Sequence, residues 1–149
     1  MQLNRIDQVA FAVEDLDAAI ALWEGAFGAT LEYREVVDSD LIEEAMLKVG
    51  DGYIQLITPT SDDSTVARFL KRNGPGLHHV GFAVPSVADA LDDLRASGVR
   101  LVAFVHPKGT GGVLVELVED EHAPAPAPTQ SAGPAPTQSA GPAPTGPHH

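Results

Sequence analysis

Apolar residues alternate with polar or small ones through Ile6-Asp7-Gln8-Val9-Ala10-Phe11-Ala12-Val13, and again through Leu77-His78-His79-Val80-Gly81-Phe82-Ala83-Val84. A period of two predicts a strand in each stretch. Directly after each, the spacing shifts to that of a helix. Leu16, Ile20, Trp23 and Phe27 fall on one face of the first helix, and Val87, Leu91 and Leu94 on one face of the second. Ser86 with Asp89 forms a capping-box pattern, and Gly28 and Gly98 suit the two helix ends. The two segments are copies of each other at a constant offset of 71 residues, which pairs Gln8 with His79, Leu16 with Val87 and Trp23 with Leu94.

The copies meet again at their last strands, where Tyr53-Ile54-Gln55-Leu56-Ile57 matches Leu114-Val115-Glu116-Leu117-Val118 at an offset of 61. Between these anchors the first copy has strand patterns over Thr30–Tyr33 and Ala45–Val49. The second has only Val99–Val105 before His106-Pro107, so it lacks one strand at its edge. In the connector, Asp62, Asp63 and Ser64 can cap a short helix over Thr65–Arg72 that Gly74 ends. The chain thus reads as a tandem strand–helix–strands unit, with modules at about 3–60 and 75–121 inside one domain, 1–121.

Beyond Glu121 the pattern stops. Residues 123–149 hold no charged and no large apolar residue, and Pro128–Ala135 repeats as Pro136–Ala143. Such a Pro/Ala/Gly-rich segment cannot bury enough apolar area to offset chain entropy, so 122–149 is expected to be a disordered tail. The net charge of −12 disfavours nucleic acid and anionic membranes as partners. With no cysteine, disulfides, thiolate metal sites and thiol nucleophiles are excluded. No signal peptide or apolar span is visible, which predicts a cytoplasmic protein.

Gln8 and His79 occupy equivalent positions, as do Gln55 and Glu116, and all four interrupt otherwise apolar strands. A lone strand Gln or His is more often a hydrogen-bonded polar residue than a ligand. A Glu at such a place is costly to bury unless it is paired or metal-bound. A two-fold arrangement turns all four side chains toward one point, and a His, a Glu and two amide oxygens can hold a hard or borderline divalent cation.

Residues 1–121 resemble the vicinal oxygen chelate (glyoxalase/bleomycin-resistance) superfamily, and within it the methylmalonyl-CoA epimerases. The resemblance rests on Arg5-Ile6-Asp7-Gln8-Val9, on 63–70 (DSTVARFL), on Gly76-Leu77-His78-His79-Val80, and on His106-Pro107-Lys108 through 111–117 (GGVLVEL). It implies an α+β fold of tandem βαβββ modules, here with the second module lacking an edge strand, and a homodimer. It implies a divalent metal ion (Co, Mn, Zn or Mg) on Gln8, Gln55, His79 and Glu116. It further implies an acyl-CoA substrate, methylmalonyl-CoA or a related 2-substituted malonyl-CoA, epimerised by proton transfer between Glu44 and Glu116 through an enolate. Inverting a carbon between a thioester and a carboxylate needs two acid/base groups on opposite sides of it. Glu43, next to Glu44, should point to the other face of its strand. The chain departs from the family at Gln8, where the family has His, and in the segment after Leu101 that would wall the substrate pocket. These departures keep two further readings open: a divergent enzyme of specialised metabolism on the same fold, and a non-catalytic small-molecule binding (resistance-type) protein.

Overall fold

The computed structural model describes residues 1–99, 105, 107–110 and 112–121. In chain order the elements are β1 (Arg5–Ala12), α1 (Leu16–Phe27), β2 (Thr30–Val37), β3 (Ile42–Val49), β4 (Gly52–Pro59), α2 (Thr65–Asn73), β5 (Gly76–Val84), α3 (Val87–Ala96) and β6 (Val115–Glu119). The strands form one mixed sheet in the order β2-β3-β4-β1-β5-β6. β1 runs parallel to β4 and β5 parallel to β6, while β1 and β5 pair antiparallel. The two copies of the repeat are therefore joined strand to strand through their first strands, and the α+β fold matches expectation.

Alternation along the strands assigns each face a different cover. From β1, Phe11 points to the face packed by α1, where Leu16, Ile20, Ala29, Ala45, Leu47 and Leu56 form a core with Trp23 against it. Ala12 points to the opposite face, where it meets Ile42, Ile57 and Val66 of the connector helix α2. Local signals set the helix ends. Asp15 caps α1 through the Ala18 N–H, Ser64 caps α2 through the Val66 N–H and Ser86 caps α3 through the Asp89 N–H. Gly28 adopts a left-handed φ of 67° at the end of α1, a conformation that a β-carbon disfavours.

Three expectations need adjustment. The second and third strands run to Val37 and start at Ile42, longer than the apolar pattern indicates. β2 is the sheet's edge and mostly exposed, so its pairing is carried by backbone bonds and by charge, not by apolar alternation. Arg34 on β2 holds Glu43 at 2.9 Å and also meets Asp17 of α1. Phe27, assigned to the buried face of α1, is 66% exposed and stacks on Trp23 at the helix end. On α3 the buried residue is Ala90, while Val87, Leu91 and Leu94 are half-buried.

In the second module the described residues contain β5, α3 and β6, with Val105 alone bridging the outer side of β6 at Val115. Val99 closes the end of α3, its N–H donating to the Leu94 carbonyl at 3.1 Å, and is not in a strand; residues 100–104 of the expected Val99–Val105 strand and the tail lie outside the described residues. Among the described residues, no helix is long and apolar enough to cross a membrane.

Candidate metal and acid–base site

The face opposite α1 carries two neighbouring rows of residues across the centre of the sheet. One row is Gln55, Ala10 and His79, on β4, β1 and β5. The other is Gln8, Gly81 and Glu116, on β1, β5 and β6. The middle position of each row is small. Strands lie roughly 4.8 Å apart, so a large middle residue would hold the outer side chains away from each other. Ala10 and Gly81 instead leave a hollow into which the long polar side chains turn. The pseudo-two-fold relation between β1 and β5 exchanges Gln8 with His79 and Gln55 with Glu116, as the repeat requires.

All four residues meet there. His79 Nε2 lies 3.0 Å from Glu116 Oε2, and the Gln8 side-chain N–H₂ donates to the same oxygen at 2.7 Å. Gln8 Nε2 also lies 3.4 Å from Gln55 Oε1, and Gln55 Nε2 donates to Glu44 Oε2 at 2.6 Å. A continuous chain Glu116–Gln8–Gln55–Glu44 thus joins the two carboxylates. Gln8, His79 and Glu44 are buried. Glu43 turns to the other face and pairs with Arg34, as alternation requires.

Glu44 and Glu116 line one cavity of about 590 Å³, with Gln55, His78 and His79. Burial is the main cause that pushes the Glu44 carboxyl above the ordinary glutamate range, with Glu35 opposite it on β2 adding to the effect. Among the described residues, the cavity wall carries five acidic residues, Glu35, Asp40, Glu44, Asp63 and Glu116, and no Lys or Arg. An anionic substrate group would be repelled there unless a cation accompanied it.

Three residues of the site have no clear signal in the sequence. His78 is the extra residue of a bulge, because the β1–β5 register steps from Ala10↔His79 to Phe11↔Leu77. Both rings reach the cavity as a result, with their Nδ1 atoms 2.8 Å apart. Burial first, and then His79, lowers the His78 pKa to about 4, so His78 is neutral near neutral pH. A neutral His78 can accept the His79 Nδ1–H, which leaves the His79 Nε2 lone pair facing the site centre. Glu35 acts through its place across the strand pair. Gly81 acts through space: a Cβ there would lie 2.8 Å from Gln8 Cδ.

That contact gives a prediction. Gly81→Ala should push the Gln8 amide off Glu116 and destabilise the protein by about 1–3 kcal/mol, as overpacking does. The penalty should largely vanish when Gln8→Ala is also present, which thermal melts of the four variants of the cycle would show. Equal penalties in both backgrounds would separate Gly81 from Gln8.

The donor set suits a divalent cation conditionally. Among the described residues no group of three or more His, Cys, Asp or Glu side chains could hold a metal ion, so any cation would depend on the two amides. Separations between the polar atoms run from 2.7 to 3.4 Å, close to the ~3.0 Å edge of an octahedron with ligands at ~2.1 Å. Gln55 already turns its oxygen inward. Gln8 presents N–H₂, and a half-turn of its terminal amide would present Oε1 instead.

A profile of the Glyoxalase/Bleomycin resistance protein/Dioxygenase superfamily matches residues 7–115. The chain belongs to this superfamily. Among its curated relatives within the superfamily, bovine mitochondrial methylmalonyl-CoA epimerase is 33% identical over 129 residues, which is 77% of this chain and 74% of that protein. The uncharacterised protein YqjC of Bacillus subtilis is 32% identical over 136 residues, 80% of this chain and 97% of that one. A solved methylmalonyl-CoA epimerase in complex with methylmalonyl-CoA and NH4+ superposes with a TM-score of 0.78 at 35% identity, covering 84% of this chain and 100% of that one.

Proposed function

We propose that the chain is a divalent-metal-dependent epimerase of methylmalonyl-CoA or a related 2-substituted malonyl-CoA, acting as a homodimer like the family that it resembles. The observation that carries the reading is the placement of Glu44 and Glu116 on one cavity, approached from opposite modules and linked through Gln8 and Gln55. The epimerase relatives make the substrate class the natural one.

Glu44 and Glu116 exchange protons with the α-carbon from its two sides. The contacts of Glu116 with Gln8 and His79 both fall on Oε2, so Oε1 is the atom left to give or take a proton. Glu44 is held through Oε2 by the Gln55 amide. Its raised pKa narrows the gap to the weakly acidic α-carbon and makes it a stronger base than an ordinary carboxylate. Reprotonation from the opposite carboxylate inverts the carbon, and no covalent enzyme intermediate is needed. Gln8, Gln55, His79 and Glu116 would hold the cation, with Co, Mn, Zn and Mg as the candidate ions. When bound it supplies electrostatic stabilisation of the developing enolate oxygen and offsets the acidic cavity wall.

The direct test is conversion of one pure epimer of methylmalonyl-CoA, resolved by chiral analysis, with each of the four ions supplied. Appearance of the second epimer well above the protein-free rate supports the reading, and none with any ion refutes it. One observation favours a second reading, a non-catalytic binding protein. Gln8 offers a neutral amide oxygen, a weaker ligand than imidazole for a transition metal. That reading predicts saturable ligand uptake with no inversion.

A further inference from the structure

The main cavity has a second end that the acid–base chemistry does not use. Ile42 and Glu44 share a face of β3. Glu44 pairs across to Ile57 of β4, and Ile42 pairs across to Val37 of β2. Val37, Ile42 and Ile57 all line the cavity, so apolar side chains begin directly beside the Glu44 carboxyl. They lie on its side away from Gln55 and Gln8, which occupy the next rows of the sheet. α2 closes this end with Val66, which packs with Ile42 and Ile57. The turn between β2 and β3 adds Leu41 to the wall. Among the described residues, Leu41 alone has a left-handed φ, 54°, without being a glycine. A β-carbon disfavours that conformation, and glycine or asparagine would hold the turn with less strain. The surroundings impose it. The Leu41 N–H donates to the Asp38 carbonyl at 3.3 Å, and the Thr60 N–H donates to the Leu41 carbonyl at 2.9 Å. The Ser64 hydroxyl donates to the Asp40 carbonyl at 3.4 Å. The turn is thus tied to the connector, with a strained leucine kept at the cavity wall, and such strain concentrates at ligand-contacting positions.

We propose that Leu41 is a specificity-determining residue: it sets the largest 2-alkyl substituent that the apolar end of the cavity accepts. The proposal rests on the epimerase reading above. The α-carbon of the substrate carries a thioester, a carboxylate, a proton and an alkyl group. Glu44 and Glu116 take its two faces, and the oxygen-bearing groups turn toward Gln8, Gln55 and His79. In a planar enolate the remaining substituent points the opposite way, along the sheet toward Ile42, Val37 and Leu41. An alkyl group meets apolar walls there. The buried Ser64 hydroxyl at this end is already engaged by the Asp40 carbonyl and the Val66 N–H, so it offers little to a polar substituent. Ile42, Ile57 and Val66 are buried in the packing of α2 on the sheet. Leu41 is half-buried on the turn, which makes its side chain the part of the wall that can change in size without dismantling the core.

The test measures kcat/KM and calorimetric affinity for 2-methyl-, 2-ethyl- and 2-propylmalonyl-CoA with the full-length wild type, Leu41→Gly and Leu41→Phe. Glycine accepts the left-handed backbone, so Leu41→Gly widens this end of the cavity without straining the turn. With the wild type, both quantities should fall from the methyl to the propyl compound. In Leu41→Gly the propyl-to-methyl ratio of kcat/KM should rise by roughly 10–100-fold, the range for one or two methylenes in an apolar pocket. The affinity ratio should move in the same direction. In Leu41→Phe both ratios should drop below those of the wild type. Ratios unchanged in Leu41→Gly, an equal loss on all three compounds, or a wild type that handles the propyl compound as well as the methyl one would each overturn the role of Leu41. A wild type that binds the series with affinities that Leu41→Gly shifts in this way, but inverts none of it, would retain that role and refute the epimerase reading.

Discussion

Glu44→Gln should lower the rate of epimerisation by roughly 10²–10⁴-fold, the range for loss of a positioned acid/base group, and should raise the melting temperature at neutral pH. The two effects share one cause. Glu44 is buried, faces Glu35 across the β2–β3 pair, and has a carboxyl pKa pushed upward. The folded state therefore binds this proton more tightly than the unfolded chain does. Its contribution to stability is fully present below the unfolded value, about 4.3, and is lost as pH rises through the higher folded value. The amide that replaces the carboxyl in this variant is never charged, and its carbonyl can still accept the Gln55 N–H₂. The gain in melting temperature over wild type should thus be small near pH 4 and grow toward pH 7. Glu35→Gln should reproduce part of the gain with far less loss of activity. Melting curves across pH, beside turnover, check both halves. A variant that loses activity and is also less stable at pH 7 would place Glu44 in a different environment.

Removing His79 should have the second large effect. His79 contributes the single nitrogen donor of the four-residue set, and its partner atom on Glu116 is 3.0 Å away. If Mn²⁺ or Co²⁺ binds there, a concentration of 100 times Kd should stabilise the wild type by about 2.7 kcal/mol. His79→Ala should abolish that gain, and chelation should remove it reversibly along with turnover. Gln8→His replaces a neutral amide oxygen with imidazole and should tighten binding of the same ions. Gln8→Ala should weaken it. A thermal gain that survives His79→Ala would put the cation elsewhere.

The parts of this arrangement that were legible in the sequence are those fixed by duplication and alternation. The offset between Ile6–Val13 and Leu77–Val84 identified Gln8 and His79 as equivalent, and the sheet sets them on neighbouring rows. The apolar stripe of α1 and the caps at Ser64 and Ser86 were also plain, because each depends on residues close in sequence. What was hidden depends on pairing between strands. The full length of β2 is masked because an exposed edge strand has no apolar face to alternate. The bulge at His78 comes from the β1–β5 register, so His78 could not be told from an outward-facing strand residue. Gly81 matters through its approach to Gln8, and Glu35 through its position opposite Glu44. None of these relations has a spacing that one strand can reveal. Glu44 itself was reached through family resemblance, since an acid in Glu43-Glu44 carries no burial signal alone.

The most direct test of proton transfer between two carboxylates is solvent isotope uptake. One epimer of methylmalonyl-CoA is incubated with the protein and Mn²⁺ or Co²⁺ in deuterated water, and the α-carbon is followed by mass spectrometry and chiral separation. The expected result is deuterium at the α-carbon of the inverted epimer, well above the protein-free control. No incorporation with Co²⁺, Mn²⁺, Zn²⁺ or Mg²⁺ would contradict it.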